Sequence, residues 1–392
     1  MRSCNYLVIG GGMTADAAVK GIRELDASGS ICLLGEEAEA PYDRPPLTKG
    51  LWKGTALDKI WRGTENEAVQ LRLGRRVQAI DVARKQATDQ RGEVYAYQKL
   101  LLATGGRPRR LPFGSDLPIY YRTVADYRRL RELASQHQRF VVLGAGFIGS
   151  EIAASLAMNG REVILLFPGQ GIGGRIFPPD LSRELNRYYR EKGVDVRPQQ
   201  TVTRLESRHG TTVVGTASGE EFPAAGVVAG LGIEPNVELA QAAGLAVDNG
   251  IVVNERLQCS SPDIYAAGDV AAFVNPALAK RIRVEHEDNA NTMGRIAGHN
   301  LAGLSEPYHH LPFFYSDLFD LGYEAVGNLD ARLETFADWQ TPFREGVVYY
   351  LQQGRVRGVL LWNVWGKVDE ARRLIREPGP FSPAQLKGRI SA

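Results

Sequence analysis

Short apolar runs that stop at a glycine, each followed by apolar positions at helical spacing, set the organisation of this chain. Residues 6–9 (YLVI) form the first run, closed by Gly10, and read as a strand buried on both faces. Small and apolar side chains then recur with a helical period, placing Ala17, Ala18, Ile22 and Leu25 on one face. Residues 31–34 (ICLL) are the next buried strand. A short strand lies within 71–81, 85–88 and 93–97 read as two more around a turn at 89–92, and 100–104 return to the core. The theme then restarts. Residues 121–134 predict an amphipathic helix with Tyr127, Leu130 and Leu133 on its apolar side, 140–143 are a buried strand ending at Gly144, and a helix runs from Ser150. Strands at 163–167, 194–199, 201–206, 211–216 and 227–231, with a helix at 181–192, complete the second set. A further strand at 264–269 ends in Gly268-Asp269. Strands alternating with helices in this way predict an α/β fold with parallel sheets.

Each restart carries the same glycine spacing. Gly10, Gly12 and Ala15 fit G-x-G-x-x-G/A between strand and helix; Gly144, Gly146 and Gly149 fit it again, with Phe147 and Ile148 inside the motif. The first glycine permits a tight turn, the second lets backbone approach a pyrophosphate, and the third small residue lets helix and strand pack closely. The helix N-terminus adds N–H donors and positive dipole for the phosphates. Glu36 and Glu37 follow the strand after the first motif, where a carboxylate takes ribose hydroxyls. The matching place after the second motif, residues 167–171 (FPGQG), has no carboxylate, and Arg175 follows. An arginine there accepts a 2′-phosphate, so NADPH or dual use stands beside NADH. Pro45 and Pro46 clamp the loop 38–52, in which Arg44 is a candidate for the pyrophosphate and Lys49 for the reactive end of a cofactor. Residues 47–52 are expected to open a helix. Ala103-Thr104-Gly105 closes a core strand with residues small enough for close passage beside the first nucleotide site, and Asp269, at another strand end, suits a ribitol hydroxyl.

Composition excludes more than it selects. A chain of 392 residues holds two or three domains, and a net charge of +2 argues against nucleic acid as the main partner. The arginines of 121–134 and the basic run 280–283 read as solvated faces. No apolar stretch reaches the ~18 residues of a membrane span, and an apolar strand opening close to Met1 leaves no room for a leader; a soluble, cytoplasmic protein without membrane attachment is expected. Cys4, Cys32 and Cys259 show no C-x-x-C spacing, so they read as small buried hydrophobes and a dithiol relay is excluded. His309-His310 have no clustered partner ligands, and no metal site is predicted. Trp362 and Trp365 are expected in the core or at a domain interface.

With these residues assembled, the chain resembles the two-dinucleotide-binding flavoprotein reductases from residue 1 to roughly 310. G-x-G-x-x-A with Glu36, PYDRPPLTK, ATGGRPR, GAGFIGSE and YAAGD follow in that family's order. The segments LFP (166–168), RVEH (283–286), GRIAG (294–298), YSDL (315–318), 322–327 and 346–365 resemble apoptosis-inducing-factor-like proteins more than oxygenase-coupled ferredoxin reductases. The resemblance implies two Rossmann-like, glutathione-reductase-like domains and an α+β C-terminal domain. FAD would bind 1–121 with 244–311, NAD(P)H would bind 122–243, and 312–392 would form the C-terminal domain. It implies hydride transfer from nicotinamide C4 to flavin N5, with Lys49 hydrogen-bonding N5 and pairing with Glu151 across both nucleotide domains. Phe147 resembles an aromatic that covers the flavin until nicotinamide displaces it, with plain helix–strand packing as the alternative. Glu285 and His286 resemble residues at the flavin–nicotinamide junction, and Tyr315 stands where the family usually has tryptophan. Val77, Arg109 and Gly232 complete the implied cofactor-binding set. The long C-terminal insertion of the mitochondrial protein is missing between Gln340 and Gly346, and its charged dimer-face positions are replaced by Ala246, Val252 and Ser260. Its NADH-dependent dimer and DNA binding are therefore not implied, and a monomer or weak homodimer is expected. Electrons must leave the flavin directly. Three outlets follow: redox sensing through a reduced-flavin charge-transfer complex, reduction of a one-electron carrier such as ferredoxin or rubredoxin, and an NADH oxidase or quinone reductase activity.

Overall fold

The apolar runs become the middle of a parallel sheet. In a computed structural model describing residues 1–391, the chain divides into two units. The first comprises Met1–Asp43, Leu57–Arg107 and Glu234–Pro312; the second comprises Arg44–Ala56, Pro108–Ile233 and Phe313–Ala392. In the first, Val69–Arg72, Ile31–Leu34, Arg2–Ile9 and Val94–Leu102 lie parallel in that spatial order, and Ile264–Ala266 runs parallel to the last of them. Leu7, Cys32, Leu33, Leu100, Leu101 and Leu102 are fully buried, as strands covered on both faces require. Each large aliphatic side chain among them contributes about 1.5–3 kcal/mol by leaving water. Val94–Leu102 is one continuous strand where the sequence suggested two, and its first half pairs antiparallel with Gln86–Asp89, itself paired with Val77–Asp81. The helices Met13–Leu25 and Glu287–Leu301 pack backbone to backbone: a Cβ on Gly298 would lie 2.3 Å from the Ala18 carbonyl oxygen. Leu25, expected on the buried face, is 49% exposed because the helix ends at that residue.

The second unit repeats the plan. Val194–Arg197, Glu162–Leu166, Arg139–Leu143, Gly226–Ala229 and Ile119–Tyr120 form a parallel sheet in that order. Val202–Arg208, Thr211–Thr216 and Glu221–Ala224 add an antiparallel meander. The helix Val124–Gln136 opens with a capping box in which the Thr123 hydroxyl accepts from the Asp126 N–H, an arrangement worth ~1 kcal/mol. Tyr127 and Leu130 are buried on it, Leu133 only partly. The second glycine motif leads into Phe147–Met158, which starts earlier than the expected Ser150. Residues 47–52 do not open an α-helix; Pro45–Leu47 and Gly50–Trp52 are separate 3-10 turns, since the two prolines remove N–H donors that an α-helix would use. A C-terminal antiparallel sheet runs Phe313–Leu318, Leu321–Gly327, Arg355–Trp362, Glu345–Gln352, Glu334–Thr341 in spatial order, followed by the helix Val368–Arg376. Trp362 is fully buried and stacks on Tyr323 at 5.6 Å, whereas Trp365, beyond the end of its strand, is 51% exposed; only one of the two joins the core. Among the described residues no helix is long and apolar enough to cross a membrane.

Candidate active site

In the first unit the chemistry gathers where strands end. Gly10 has φ +129°, and a Cβ there would sit 2.1 Å from the Ala103 carbonyl oxygen, so only glycine lets this turn pass the segment Ala103-Thr104-Gly105. Gly12 caps Met13–Leu25 with no side chain on the first N–H groups, and Ala15 is wholly buried beneath them. The positive helix end therefore offers its donors to an anionic ligand, which is the fit a dinucleotide pyrophosphate needs. Thr104 and Asn236 exchange hydrogen bonds: Thr104 Oγ1 donates to the Asn236 carbonyl at 2.9 Å, and Asn236 Nδ2 donates to the Thr104 carbonyl at 2.8 Å. Glu36 is exposed with no hydrogen-bond or ion-pair partner among the described residues, while Glu37 accepts from the Tyr42 hydroxyl at 2.6 Å. Of the two ribose candidates, Glu36 is the one left available. Val77 is buried in the antiparallel part of the sheet.

Asp269 lies in the turn Gly268–Val270, whose backbone is held by Arg283 Nη1 donating to the Asp269 carbonyl at 3.0 Å. Arg283 also pairs with Glu285 at 2.6 Å and has a side chain only 9% exposed. Of the run 280–283, Lys280 and Arg281 are exposed as expected of a solvated face, whereas the Asp269 carbonyl and Glu285 draw Arg283 inward. His286 is the N-cap of Glu287–Leu301. His310 joins Asp288 at 2.6 Å, and no cluster of three or more metal-ligating side chains occurs among the described residues. Sequence reasoning missed Asp16. It is wholly buried in the first turn of the first fingerprint helix and accepts from Arg62 and Thr64, each at 2.6 Å. Arg62 also reaches Asp43, and Asn291 at 2.9 Å. The available signal was an acid inside a run of small residues, T-A-D-A-A.

The second unit holds a tighter constellation. Glu151, just past the second glycine motif and 4% exposed, accepts from Lys49 Nζ at 2.6 Å, Thr48 Oγ1 at 2.5 Å and Ser316 Oγ at 2.6 Å. A buried carboxylate is costly unless paired and hydrogen-bonded, and this donor set meets both conditions. Lys49 Nζ also lies 5.1 Å from the centre of the Tyr315 ring, a cation–π contact. Phe147 meets Phe314 edge-on at 5.3 Å. Lys49, Glu151 and Tyr315 are thus brought together, with Phe147 packed on the residue before Tyr315. Thr48 and Ser316, which flank Lys49 and Tyr315, went unnoticed in the sequence. Burial, and after it the charge of Glu151, pushes the Tyr189 and Tyr323 hydroxyls well above the ordinary tyrosine range.

Arg44 Nη1 donates to the Arg122 carbonyl at 2.9 Å, and the Arg109 N–H donates to the Gly232 carbonyl at 2.9 Å. Around the second fingerprint, a Cβ on Gly144 would lie 2.5 Å from the Gly230 oxygen and one on Gly149 1.8 Å from the Gly144 oxygen, yet one on Gly146 would meet nothing within 4 Å. Two of these glycines are required by the protein itself. The third opens onto empty space at a helix N-terminus without a side-chain cap, which again fits a pyrophosphate. All three cysteines are free and buried. The Cys4 thiol donates to the Ala96 carbonyl at 3.6 Å, and the neighbouring Cys32 together with burial pushes the Cys4 thiol up. Cys4 stands at the far end of its strand from Gly10, about 20 Å away at ~3.3 Å per residue.

Two parallel sheets, each ending in a glycine turn open to a pyrophosphate, with a third antiparallel sheet behind them in the chain, define a two-dinucleotide oxidoreductase. Residues 4–294 match the pyridine nucleotide-disulphide oxidoreductase family, and the chain belongs to it. Residues 297–342 and 337–377 match the C-terminal domain of mitochondrion-associated apoptosis-inducing factor. The chain is 36% identical to apoptosis-inducing factor 1 of Dictyostelium discoideum over 415 residues, covering 94% of this chain and 78% of that protein. It is 33% identical to the ferredoxin–NAD(+) reductase component of the anthranilate 1,2-dioxygenase system of Burkholderia cepacia, covering 98% and 97% of the two chains. Putidaredoxin reductase in its covalent complex with putidaredoxin superposes with a TM-score of 0.90 at 32% identity, covering 98% and 96%. The expected family and fold class are borne out, and the chain is an FAD-dependent NAD(P)H oxidoreductase using FAD and NADH.

Proposed function

We propose that this enzyme takes hydride from NADH beside Lys49 and releases electrons without a dithiol relay, as an apoptosis-inducing-factor-like oxidoreductase whose reduced state is itself the signal read by partners. Bound FAD supplies the conversion between two-electron and one-electron chemistry. The protein's residues hold and tune it. Gly10, Gly12, Ala15, Glu36, Thr104 and Asp269 grip the adenosine, pyrophosphate and ribitol; Arg44, Val77, Arg109, Glu285 and His286 complete that grip. Gly144, Gly146, Ile148, Gly149 and Gly232 receive the nicotinamide nucleotide. The observation that carries the reading is the three-donor clamp on Glu151, which fixes the ammonium of Lys49 at one place; Lys49, Phe147 and Tyr315 would hold the reactive part of the flavin, with Lys49 supplying its hydrogen-bond donor. The division 1–121 with 244–311, 122–243 and 312–392 assigns FAD, nicotinamide nucleotide and closing sheet. The match of the C-terminal segment to apoptosis-inducing factor supports the sensing role.

A second reading, transfer to a small one-electron carrier such as ferredoxin or rubredoxin, is favoured by the ferredoxin reductases that align over nearly the whole chain. We further propose that the protein is cytoplasmic and a monomer or weak homodimer. An anaerobic NADH titration followed by air decides between them. A long-wavelength absorbance band that survives air for minutes supports sensing. Reduction without a lasting band, and rapid turnover once ferredoxin is added, supports the carrier. Failure of NADH and NADPH alike to bleach the flavin would overturn both.

A further inference from the structure

We infer that the second unit carries an oxyanion site, separate from its glycine turn, in which Arg131 and Arg161 hold the phosphoryl group of a small ligand.

The site is a cleft of about 600 Å³ between the helix Val124–Gln136 and the turn that follows the helix Phe147–Met158. Arg128, Arg131, Glu132 and Ser135 line it from the first side, Asn159 and Arg161 from the second. Those four helical positions form an exposed outer face, opposite the buried Val124, Leu130 and Ala134. Spacing alone makes that face a solvated one. The way its guanidiniums are held sets it apart.

Arg131 is fixed without an acid. Its guanidinium carbon lies 5.1 Å from the centre of the buried Trp52 ring, and Nη1 donates to Asn159 Oδ1 at 3.0 Å. Asn159 is itself anchored, donating from Nδ2 to the Ser155 carbonyl at 2.8 Å and to the Trp52 carbonyl at 3.1 Å. Trp52 Nε1 donates in turn to the Leu47 carbonyl at 2.9 Å, and the ring meets Tyr127 edge-on at 5.8 Å. A rigid ring and a tethered amide thus place one guanidinium. Arg161 supplies the other. Its Nη1 reaches the His137 carbonyl at 3.3 Å, and its Nε is buried without an acceptor among the described residues. A buried donor left unmet in this way calls for a water or an ion to complete it.

Neither arginine has a carboxylate partner among the described residues, whereas nearby Arg139 pairs with Glu162 at 3.0 Å. Three arginines face one acid, Glu132, so the lining is net positive. The carbonyl end of Phe147–Met158 would repel an anion, but the Ser155, Leu156 and Ala157 carbonyls are taken by the N–H groups of Asn159, Arg161 and Gly160. Planar guanidinium forks match a phosphoryl oxyanion bidentately. The volume falls in the range of small-molecule sites, about 300–1,000 Å³, and far exceeds one phosphate, so the phosphoryl group belongs to a small organic ligand.

Calorimetric titration of the FAD-loaded protein with inorganic pyrophosphate tests the site. A Kd below about 1 mM at low salt is expected, and Arg161→Gln and Arg131→Gln should each weaken it at least tenfold. Glu132→Gln removes the acid of the lining and leaves both guanidiniums in place; it should tighten binding about threefold. Melting curves of these variants, all altered at exposed or half-buried side chains, check that the fold is kept. Pyrophosphate seated at the second glycine turn instead would be weakened by Gly146→Ala and unaffected by Arg161→Gln, and that pattern overturns the site. An absence of binding up to about 10 mM overturns it too.

Discussion

Two alanines placed three residues apart in the second fingerprint should fail in opposite ways. In Gly149→Ala the new Cβ would lie 1.8 Å from the Gly144 oxygen, and the helix Phe147–Met158 must retreat by about 1.2 Å to bring that contact to 3.0 Å. Glu151 follows two residues later, so its 2.6 Å bond to Lys49 stretches beyond hydrogen-bond length if Lys49 stays in place. A misplacement of ~1 Å costs about 100-fold in rate, and overpacking of this kind costs about 1–3 kcal/mol of stability. In Gly146→Ala the backbone, at φ −83° and ψ −165°, accepts any residue, and the methyl meets no protein atom within 4 Å. Its stability cost is confined to a poorer N-cap, about 1 kcal/mol or less. The methyl instead enters the space through which a pyrophosphate approaches, and nucleotide affinity is expected to fall at least tenfold. Stopped-flow reduction of the flavin across a range of NADH concentrations separates limiting rate from affinity, and thermal melting reads stability. Gly149→Ala should lose limiting rate and melting temperature, and Gly146→Ala should lose affinity alone. A Gly149→Ala protein reducing its flavin within about threefold of wild type at saturating NADH would refute the steric argument.

Three further outcomes follow from the same geometry. Lys49→Ala should slow flavin reduction at least tenfold and shift the flavin spectrum; an unchanged limiting rate removes Lys49 from the chemistry. Ser316→Ala removes one of three donors from buried Glu151, a charged hydrogen bond worth about 1.5–3 kcal/mol. Urea melts of the variant should show that loss, and Ser316→Thr, which keeps the hydroxyl, should restore most of it. His299 places both ring nitrogens 2.8 Å from carboxylates, Glu306 and Glu24. Burial alone would lower its pKa, but the hydrogen bonds and charges of those two acids outweigh this and raise it above 6.5. The stabilisation is then fully present below that value and is lost as pH rises through the folded-state pKa. The melting temperature should fall as pH rises above 6.5, and His299→Gln should flatten that slope; an equal slope in the variant contradicts the clamp.

Much of the fold was legible because strands covered on both faces leave continuous apolar runs, and because Gly10, Gly144 and Gly149 of the motifs record steric contacts that a larger residue would violate. Periodicity says which face is apolar but not where an element stops, so Leu25 was expected on the buried face, and Trp365 in the core or at a domain interface, when both sit at or past an end and are half exposed. The turns at 45–52 were missed for a related reason: the prolines announce an interruption without saying what replaces the helix. The Lys49–Glu151 pair was accessible only through resemblance, and its supporting hydroxyls through nothing in the chain. Thr48 and Ser316 lie 103 and 165 residues from Glu151 and belong to no periodic pattern. A lone hydroxyl acquires meaning only when folding sets a buried carboxylate in front of it.

The two fingerprints show where nucleotide identity is written. Their spacing is nearly the same, and each first glycine is forced by a carbonyl on a neighbouring segment, Ala103 at 2.1 Å in one case and Gly230 at 2.5 Å in the other. Those contacts are internal to the protein and indifferent to the ligand, so the motif guarantees a pyrophosphate turn and nothing finer. The divergence comes one strand later, where one site has Glu36, without a hydrogen-bond or ion-pair partner among the described residues, and the other has Gly169 with Arg175 six residues on. A change such as Gly169→Glu leaves that turn intact, since its Cβ would meet only Phe167 at 3.9 Å. A side chain at Gly144 or Gly149 does not, because its Cβ would meet the Gly230 or Gly144 oxygen and displace the turn itself.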